Sequence, residues 1–415
     1  MKKKNYLLAL AALAMVSCSQ DEVINDNVAS QEAAKTGQIT FRTILDKSLI
    51  GTRSTNLLTG ENINKFKVVC YTHENKHYFG PIDVTKEGDA WTYQGTHNWK
   101  GKDKFLRFFA VTGTTNQYFR EPTTEEIGSY GKYPFIKDFE IHPIHYLDQT
   151  GNYTDSINNS LETSHHGMHD VAMAQYDGRE SDGQGNVPLN FYHLMSKISV
   201  KAKCDKPATE RKVEVMGVRI VNMQNRGTYK LNGIPDVPTE VRDTVIGEWS
   251  HTDLTPHGDF RIRWNTKQMP LTLNASAQSI LPTGQSFMVF PTKKASTEWS
   301  QTNTGGTYLS VICRVTTFDA ENRPHIVVGS ETKYGLAMLP LSFNIEGGKQ
   351  YTYTLDFSNG SGQVDPTPLP EPDPDVDPTP PGGGDGGEEY EGQPIKFTVT
   401  VEGWGTDNTV EIPPM

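Results

Sequence analysis

The chain has 415 residues, a formal net charge of −11 and 35% hydrophobic residues. The length argues for two domains or three, and the acidic balance excludes nucleic acid as a partner, because phosphate binding needs clustered Lys and Arg. Four cysteines exclude a disulfide scaffold: after Cys18 only Cys70, Cys204 and Cys313 remain, each in an apolar run, so at most one pair can form and buried free thiols are the simpler reading.

Lys2, Lys3 and Lys4 precede an apolar run from Leu7 to Val16 that ends at Ser17-Cys18. A charged head, about ten apolar residues and a small residue at the cut site make an export signal, since a membrane span needs about twenty. The cysteine makes it a bacterial lipoprotein signal over residues 1–17, cleaved before Cys18, with Cys18 acylated. Two or more acyl chains anchor stably, each buried CH₂ contributing about 0.8 kcal/mol. The alternative is a secreted protein cut elsewhere. Residues 18–36 are polar and patternless and read as a flexible tether.

In Gln38–Leu45 the residues Ile39, Phe41, Thr43 and Leu45 fall on one side of a period-two pattern, which predicts a strand with one apolar face. A loop over Asp46–Asn56 follows. Further strands are expected at Phe66–Tyr71, Trp91–Tyr93, Phe105–Val111, Asp170–Ala174, Val187–Phe191, Leu194–Cys204, Val213–Val221, Leu271–Leu273, Ser286–Pro291, Tyr308–Phe318 and Gln350–Phe357. One helical turn is expected at Thr123–Gly128. Short strands separated by Gly, Asn, Asp or Pro predict an all-β chain of two β-sandwiches, placed at 37–187 and 188–358.

Residues 359–392 carry eight prolines, nine acidic residues and no Lys or Arg. Proline fixes φ and removes donors, so this stretch reads as a disordered, extended linker able to reach roughly 100 Å. Residues 393–415 then contain a strand in which Ile395, Phe397, Val399 and Val401 share one face, and this face must bury against a sheet of its own molecule or another.

Signals for chemistry are sparse. His165, His166, His169 and Asp170 are metal-ligand types, but alternation along a strand sets His166 opposite the other two, so no metal site and no cofactor is assigned. His142 and His145 flank Pro143. No nucleophile elbow, phosphate-cradling loop or Cys-x-x-Cys is present. Trp91, Trp99, Trp249, Trp264, Trp299 and Trp404 are candidates to stack on sugars, although sandwich cores use Trp equally.

Taken in order, the residues resemble the fimbrillin family, the type V pilins and relatives of Gram-negative anaerobes. The matching landmarks are the signal ending at Cys18; Gln38-Ile39-Thr40-Phe41 with Gly51-Thr52-Arg53; Phe66–Tyr71; Trp91, with His97-Asn98-Trp99 before Phe105–Ala110; Asp170–Ala174; Val187–Ile198; Ile280-Leu281-Pro282; and Gly348–Tyr353. Ser19-Gln20-Asp21-Glu22 resembles the signal that sends lipoproteins of such bacteria to the outer face of the outer membrane. The resemblance implies two transthyretin-like sandwiches, a lipid-anchored precursor at the surface, no enzymatic activity, and other fimbrial subunits as partners through β-strand addition. It also implies that an arginine-specific protease removes the first strand, and that the vacated groove accepts a strand from the next subunit. Arg53 is the candidate cut, because its loop is accessible whereas Arg42 lies within a strand. Ile395, Phe397, Val399 and Val401 are the candidate donor strand: Gly392–Phe397 reads like Gly37–Phe41 with one proline inserted. The same strand closing its own second domain, or belonging to a small separate unit, is the alternative. The expected function is thus a fimbrial subunit, tip or anchor component that mediates adhesion to host or bacterial surface glycans or proteins. A glycan-binding surface lipoprotein, marked by an exposed aromatic platform, is the first alternative, and a metal-dependent hydrolase the second.

Overall fold

Period-two alternation and short apolar runs become twenty-six strands among the described residues, numbered here in chain order. The computed structural model describes residues 37–45, 63–112, 118–141, 144–147, 153–154, 170–251, 257–263, 270–281, 286–292, 298–341, 343–367, 369, 373–403 and 406–412. Their strands form four sheets, and the all-β class expected from the sequence is the one observed.

The first sheet holds β1 (Thr40–Leu45), β2 (Lys65–Thr72), β3 (His77–Glu87), β4 (Ala90–Tyr93), β5 (Leu106–Thr112), β10 (Ala172–Gly178) and β11 (Asn186–His193). Its order is β1-β11-β10-β5-β2-β3-β4. Every residue of β5 is buried, which explains its apolar run from Phe108 to Val111: a strand covered on both faces needs apolar residues at successive positions. One face presents Val68, Cys70, Phe108, Ala110, Ala174 and Phe191 to a core that includes Ile39 and Phe41. Val69, Phe109, Val111 and Met173 point the other way.

That other face packs on the second sheet, β15-β14-β7-β6, made of β6 (Phe119–Arg120), β7 (Phe135–Glu140), β14 (Arg226–Leu231) and β15 (Gly247–Ser250). Ile136, Phe139, Tyr229 and Trp249 meet the first sheet there. A short helix, α1 (Ile127–Tyr130), overlaps the end of the helical turn expected at Thr123–Gly128.

The third sheet has nine strands: β8 (Ile144–Leu147), β9 (Tyr153–Thr154), β13 (Arg211–Gln224), β16 (His257–Arg263), β17 (Leu271–Thr272), β20 (Tyr308–Phe318), β21 (Pro324–Val328), β22 (Gly335–Pro340) and β24 (Gln363–Val364). The fourth contains β12 (Ser196–Lys203), β18 (Gln278–Ser279), β19 (Phe287–Val289), β23 (Lys349–Asp356), β25 (Lys396–Gly403) and β26 (Thr406–Ile412). Val215, Val218, Leu309 and Val311 of the third sheet meet Ile198, Val200, Tyr353 and Leu355 of the fourth in the larger core.

Two expectations differ from the structure. Strand β11 runs across the boundary placed at 187/188 and pairs with β10 and β1, so the chain changes sandwich between His193 and Ser196. Strands β14 and β15, from beyond that boundary, return to the second sheet, and β8, from before it, joins the third. Sandwich strands are swapped between layers by long connections, and local composition does not record this. The second difference is the acidic proline-rich stretch. Its described residues lie folded on the third sheet, with Val364, Val376 and Tyr390 buried, rather than extending as a linker.

Candidate assembly site

The two strands singled out by alternation sit at different places in the two sandwiches. Strand β1 is an edge strand, paired in parallel with β11 alone, in the register Phe41↔Val187 and Thr43↔Leu189. On its free side the chain is tied down only at its start. The Ile39 amide donates to His97 O at 2.8 Å, the Trp99 amide to Gly37 O at 2.9 Å, and the Tyr93 hydroxyl to Ile39 O at 2.7 Å. The first sheet therefore curls until β1 approaches β4. Ile39 is 0% exposed and Phe41 5%. The Phe41 ring meets Phe66, Tyr93 and Phe108 edge-on, at centroid distances of 5.5, 5.7 and 6.2 Å, a favoured aromatic geometry. Burial raises the Tyr93 hydroxyl above its usual pKa, so it stays a neutral donor. Thr40 adds a side-chain hydrogen bond to Asn186. Strand β1 is thus a plug: without it, Phe66, Phe108, Phe191 and the carbonyl and amide row of β11 face an open groove.

Strand β25 lies within its own chain's fourth sheet. It pairs antiparallel with β23 from Asp356↔Lys396 to Lys349↔Gly403, and β26 pairs with its other side. Ile395 is buried; Phe397, Val399 and Val401 are half-buried and pack on the main core. The alternative of closure in cis is the arrangement observed in this chain.

Residues 357–395 join β23 to β25 by a strap over the third sheet. Asp365 accepts from Arg219 at 3.0 Å and from the Tyr308 hydroxyl at 2.6 Å, with both charged side chains inaccessible to water. Arg263 pairs with Asp373 and, at 3.1 Å, with Asp375. Burial works against the charge of Arg219, but Asp365 and Asp259 outweigh it and hold the guanidinium above its usual pKa. Arg263 is raised by the same balance, with Asp373 as the main partner. Nothing in the local sequence signalled these pairs, because the partners lie more than a hundred residues apart.

Elsewhere buried charge is structural. Arg107 of β5 sits directly opposite Asp177 of β10 and makes two bonds of 2.9 Å to its carboxylate, with further bonds to Asn75, Tyr133 and Pro235 O. His193 Nδ1 lies 2.6 Å from Asp170 Oδ2. A cleft of about 660 Å³ opens beside it, between Tyr229, Trp249 and the Glu346–Lys349 loop. All three described thiols are free and buried; burial pushes Cys313 up to about 12 and raises Cys70 as well, so neither is a ready thiolate.

Several sequence candidates fall outside the described residues: Cys18, Arg53, His142, His165, His166, His169, Trp264 and Trp404. Among the described residues no three His, Cys, Asp or Glu side chains are grouped to hold a metal ion. Trp99, Trp249 and Trp299 are buried, and Trp91 is half-buried against Phe66. Trp99 and Trp249 donate to Gly185 O and Leu194 O, which fixes them as core residues.

A fimbrillin-like family model matches residues 52–368. Among solved structures, a fimbrial protein from Bacteroides vulgatus is 14% identical with a TM-score of 0.52, the alignment covering 88% of this chain and 99% of that one. A fimbrial assembly protein from Parabacteroides distasonis is 10% identical with a TM-score of 0.38, covering 91% and 98%. No curated protein matches the sequence.

Proposed function

The chain belongs to the fimbrillin-like family, and from that premise we propose that it is a non-enzymatic surface lipoprotein serving as a fimbrial subunit, tip or anchor component that assembles by strand exchange. The placement of β1 carries this reading. An edge strand with a single ladder partner and with Ile39 and Phe41 buried at its start can be replaced by another strand of the same pattern, since main-chain hydrogen bonds give affinity and alternate side chains fill the pockets. Acylation of Cys18 holds the precursor at the outer membrane. Cleavage after Arg53, in the segment between β1 and Ile63, releases β1 together with the lipid. The partner is then the next subunit, whose Ile395, Phe397, Val399 and Val401 enter the vacated groove; adhesion to surface glycans or proteins is the task of the finished fibre.

The alternating face of 395–401 matches that of 39–45 in spacing and, at Ile395 and Phe397 against Ile39 and Phe41, in residue type. Fully burying one such side chain stabilises by about 1.5–3 kcal/mol, so three or four of them recover what loss of β1 costs. The glycan-binding alternative requires an exposed aromatic platform, and the described tryptophans are committed to cores instead.

Two measurements test the reading. Mass-spectrometric mapping of shed or assembled material gives a mature N-terminus at Ser54; finding only acylated Cys18 rejects the cut. Deleting residues 393–415 removes the fibres seen on cells by electron microscopy; unchanged fibres reject donation by this segment.

A further inference from the structure

The strap leaves and re-enters its hairpin at one point. The Gln393 amide donates to Asn359 O at 3.0 Å, and the Ser361 hydroxyl to Glu391 O at 2.9 Å. Arg211 crosses beneath this neck and donates to Phe357 O, Gly360 O and Ser361 Oγ, each at 2.7 Å. Only glycine fits at two neck positions: a Cβ on Gly360 would lie 2.5 Å from Pro394 O, and Gly392 has φ +113°.

Beyond the neck the described residues of the strap are fixed at several points. Val364 pairs with Ala337 at the edge of the third sheet, and the returning chain lies against it, Gly387 donating to Val364 O and Val364 to Glu388 O, both at 2.8 Å. Trp299 fills the space where any side chain on Gly387 would stand. Val376 is buried among Met216, Ile312 and Leu336, with Tyr334 and Leu369 beside it. The Arg219–Asp365 and Arg263–Asp373 pairs lie between these apolar contacts. Stripping the strap off would expose Met216, Ile312, Leu336, Met338 and Trp299 and would break both charge pairs at once. The segment from Gln393 through β25 and β26, in contrast, is held by one ladder to β23, by buried Ile395 and by three half-buried side chains.

We infer that the outer face of the third sheet is a docking surface for an acidic, proline-rich peptide, occupied by residues 363–367 and 373–377 of the same chain, and that it keeps this peptide while the hairpin β25–β26 alone passes to a neighbouring subunit. The inference rests on the strand donation proposed above. The exchanged unit then begins at Gln393, where the neck closes. An acidic tail set free along its whole length would reach roughly 100 Å and let the next subunit sit anywhere within that radius. A docked strap instead forces the neighbour's groove to abut the neck, which fixes the spacing and angle between subunits.

Two disulfide locks in the full-length protein separate the cases. Paired strand positions lie within the distance a disulfide spans. Met338→Cys with Gln363→Cys staples the strap to β22, and Thr352→Cys with Thr400→Cys staples β25 to β23. The expected result is that the oxidised strap lock forms fibres at the wild-type level, whereas the oxidised hairpin lock loses them and regains them on reduction. Loss of fibres in both locks overturns the docked strap and leaves strand donation standing. Fibres in the oxidised hairpin lock overturn donation, and the inference with it. Hydrogen exchange on the unmutated protein is independent of either lock. Amides of 363–364 and 387–390 should stay protected in monomer and fibre alike, and those of 396–403 should open first in the monomer. Exchange of the strap together with or before the hairpin overturns the inference.

Discussion

Strands β1 and β25 carry nearly the same alternating pattern and yet stand in opposite mechanical positions. Strand β1 lies at the edge of its sheet with Ile39 and Phe41 sealed in an aromatic core, whereas β25 lies between β23 and β26 with its apolar side chains half covered. The pattern alone therefore states which face a strand must bury, not how firmly it is held. Firmness comes from what surrounds that face: Phe66, Tyr93 and Phe108 grip β1, while β25 rests on Tyr353 at 6.4 Å and on the rim of the larger core. A plug that costs much to remove makes an acceptor worth refilling, and a strand that costs little to detach makes a donor.

The sharpest way to break this contrast is truncation at the plug. Phe41→Ala should destabilise the first sandwich by about 3–5 kcal/mol, because the three facing rings of Phe66, Tyr93 and Phe108 cannot collapse into the space. A denaturant midpoint little changed from wild type would show that β1 is held loosely. Asp365→Ala tests the strap and should cost about 3–5 kcal/mol, since it leaves buried Arg219 with one carboxylate, Asp259, beside its bond to Thr367 O. That loss should appear in the second sandwich and not the first, as followed by hydrogen exchange of β13 and β2. Phe397→Ala should cost only about 1–2 kcal/mol, in proportion to its partial burial, and a cost matching that of Phe41→Ala would erase the distinction between donor and plug.

The smallest effect is acid. Burial opposes the charge of Asp356, but the hydroxyl and amide of Ser358, with Lys203, outweigh it and hold its carboxyl below the usual carboxylate range. Its contribution is therefore complete above the ordinary carboxylate pKa of about 4 and is lost as the pH falls through the lower folded value. Because Asp356 faces Lys396 at the root of the hairpin, thermal melts should show a loss below about 1 kcal/mol on this side of the molecule, removed by Asp356→Asn.

Much of the fold was legible for local reasons. The runs at 68–71 and 108–111 are apolar on consecutive positions because both faces of the first sheet are covered, and the alternation at 39–45 and 395–401 reflects one covered face. What stayed hidden depends on residues distant in the chain. The stretch 359–392 has the composition of an unfolded linker, and taken alone it buries too little to offset its ordering entropy. It folds because Arg219, Arg263 and Tyr308, contributed by three separate strands, supply partners that its own neighbours lack. The sandwich boundary was misplaced for a related reason: β14 and β15 return to the second sheet through pairing with β7, which no local signal announces. At the candidate site the two alternating faces were visible in the sequence, whereas the aromatic grip on β1 and the neck of the strap were not.

The exchange of one strand for another is tested most directly by cross-linking mass spectrometry on assembled fibres built from two isotopically distinct batches of subunits. Mixed-isotope cross-links joining residues 396–403 of one subunit to residues 186–193 of another are the predicted result. Fibres in which 396–403 cross-links only to 349–356 of its own chain would contradict it.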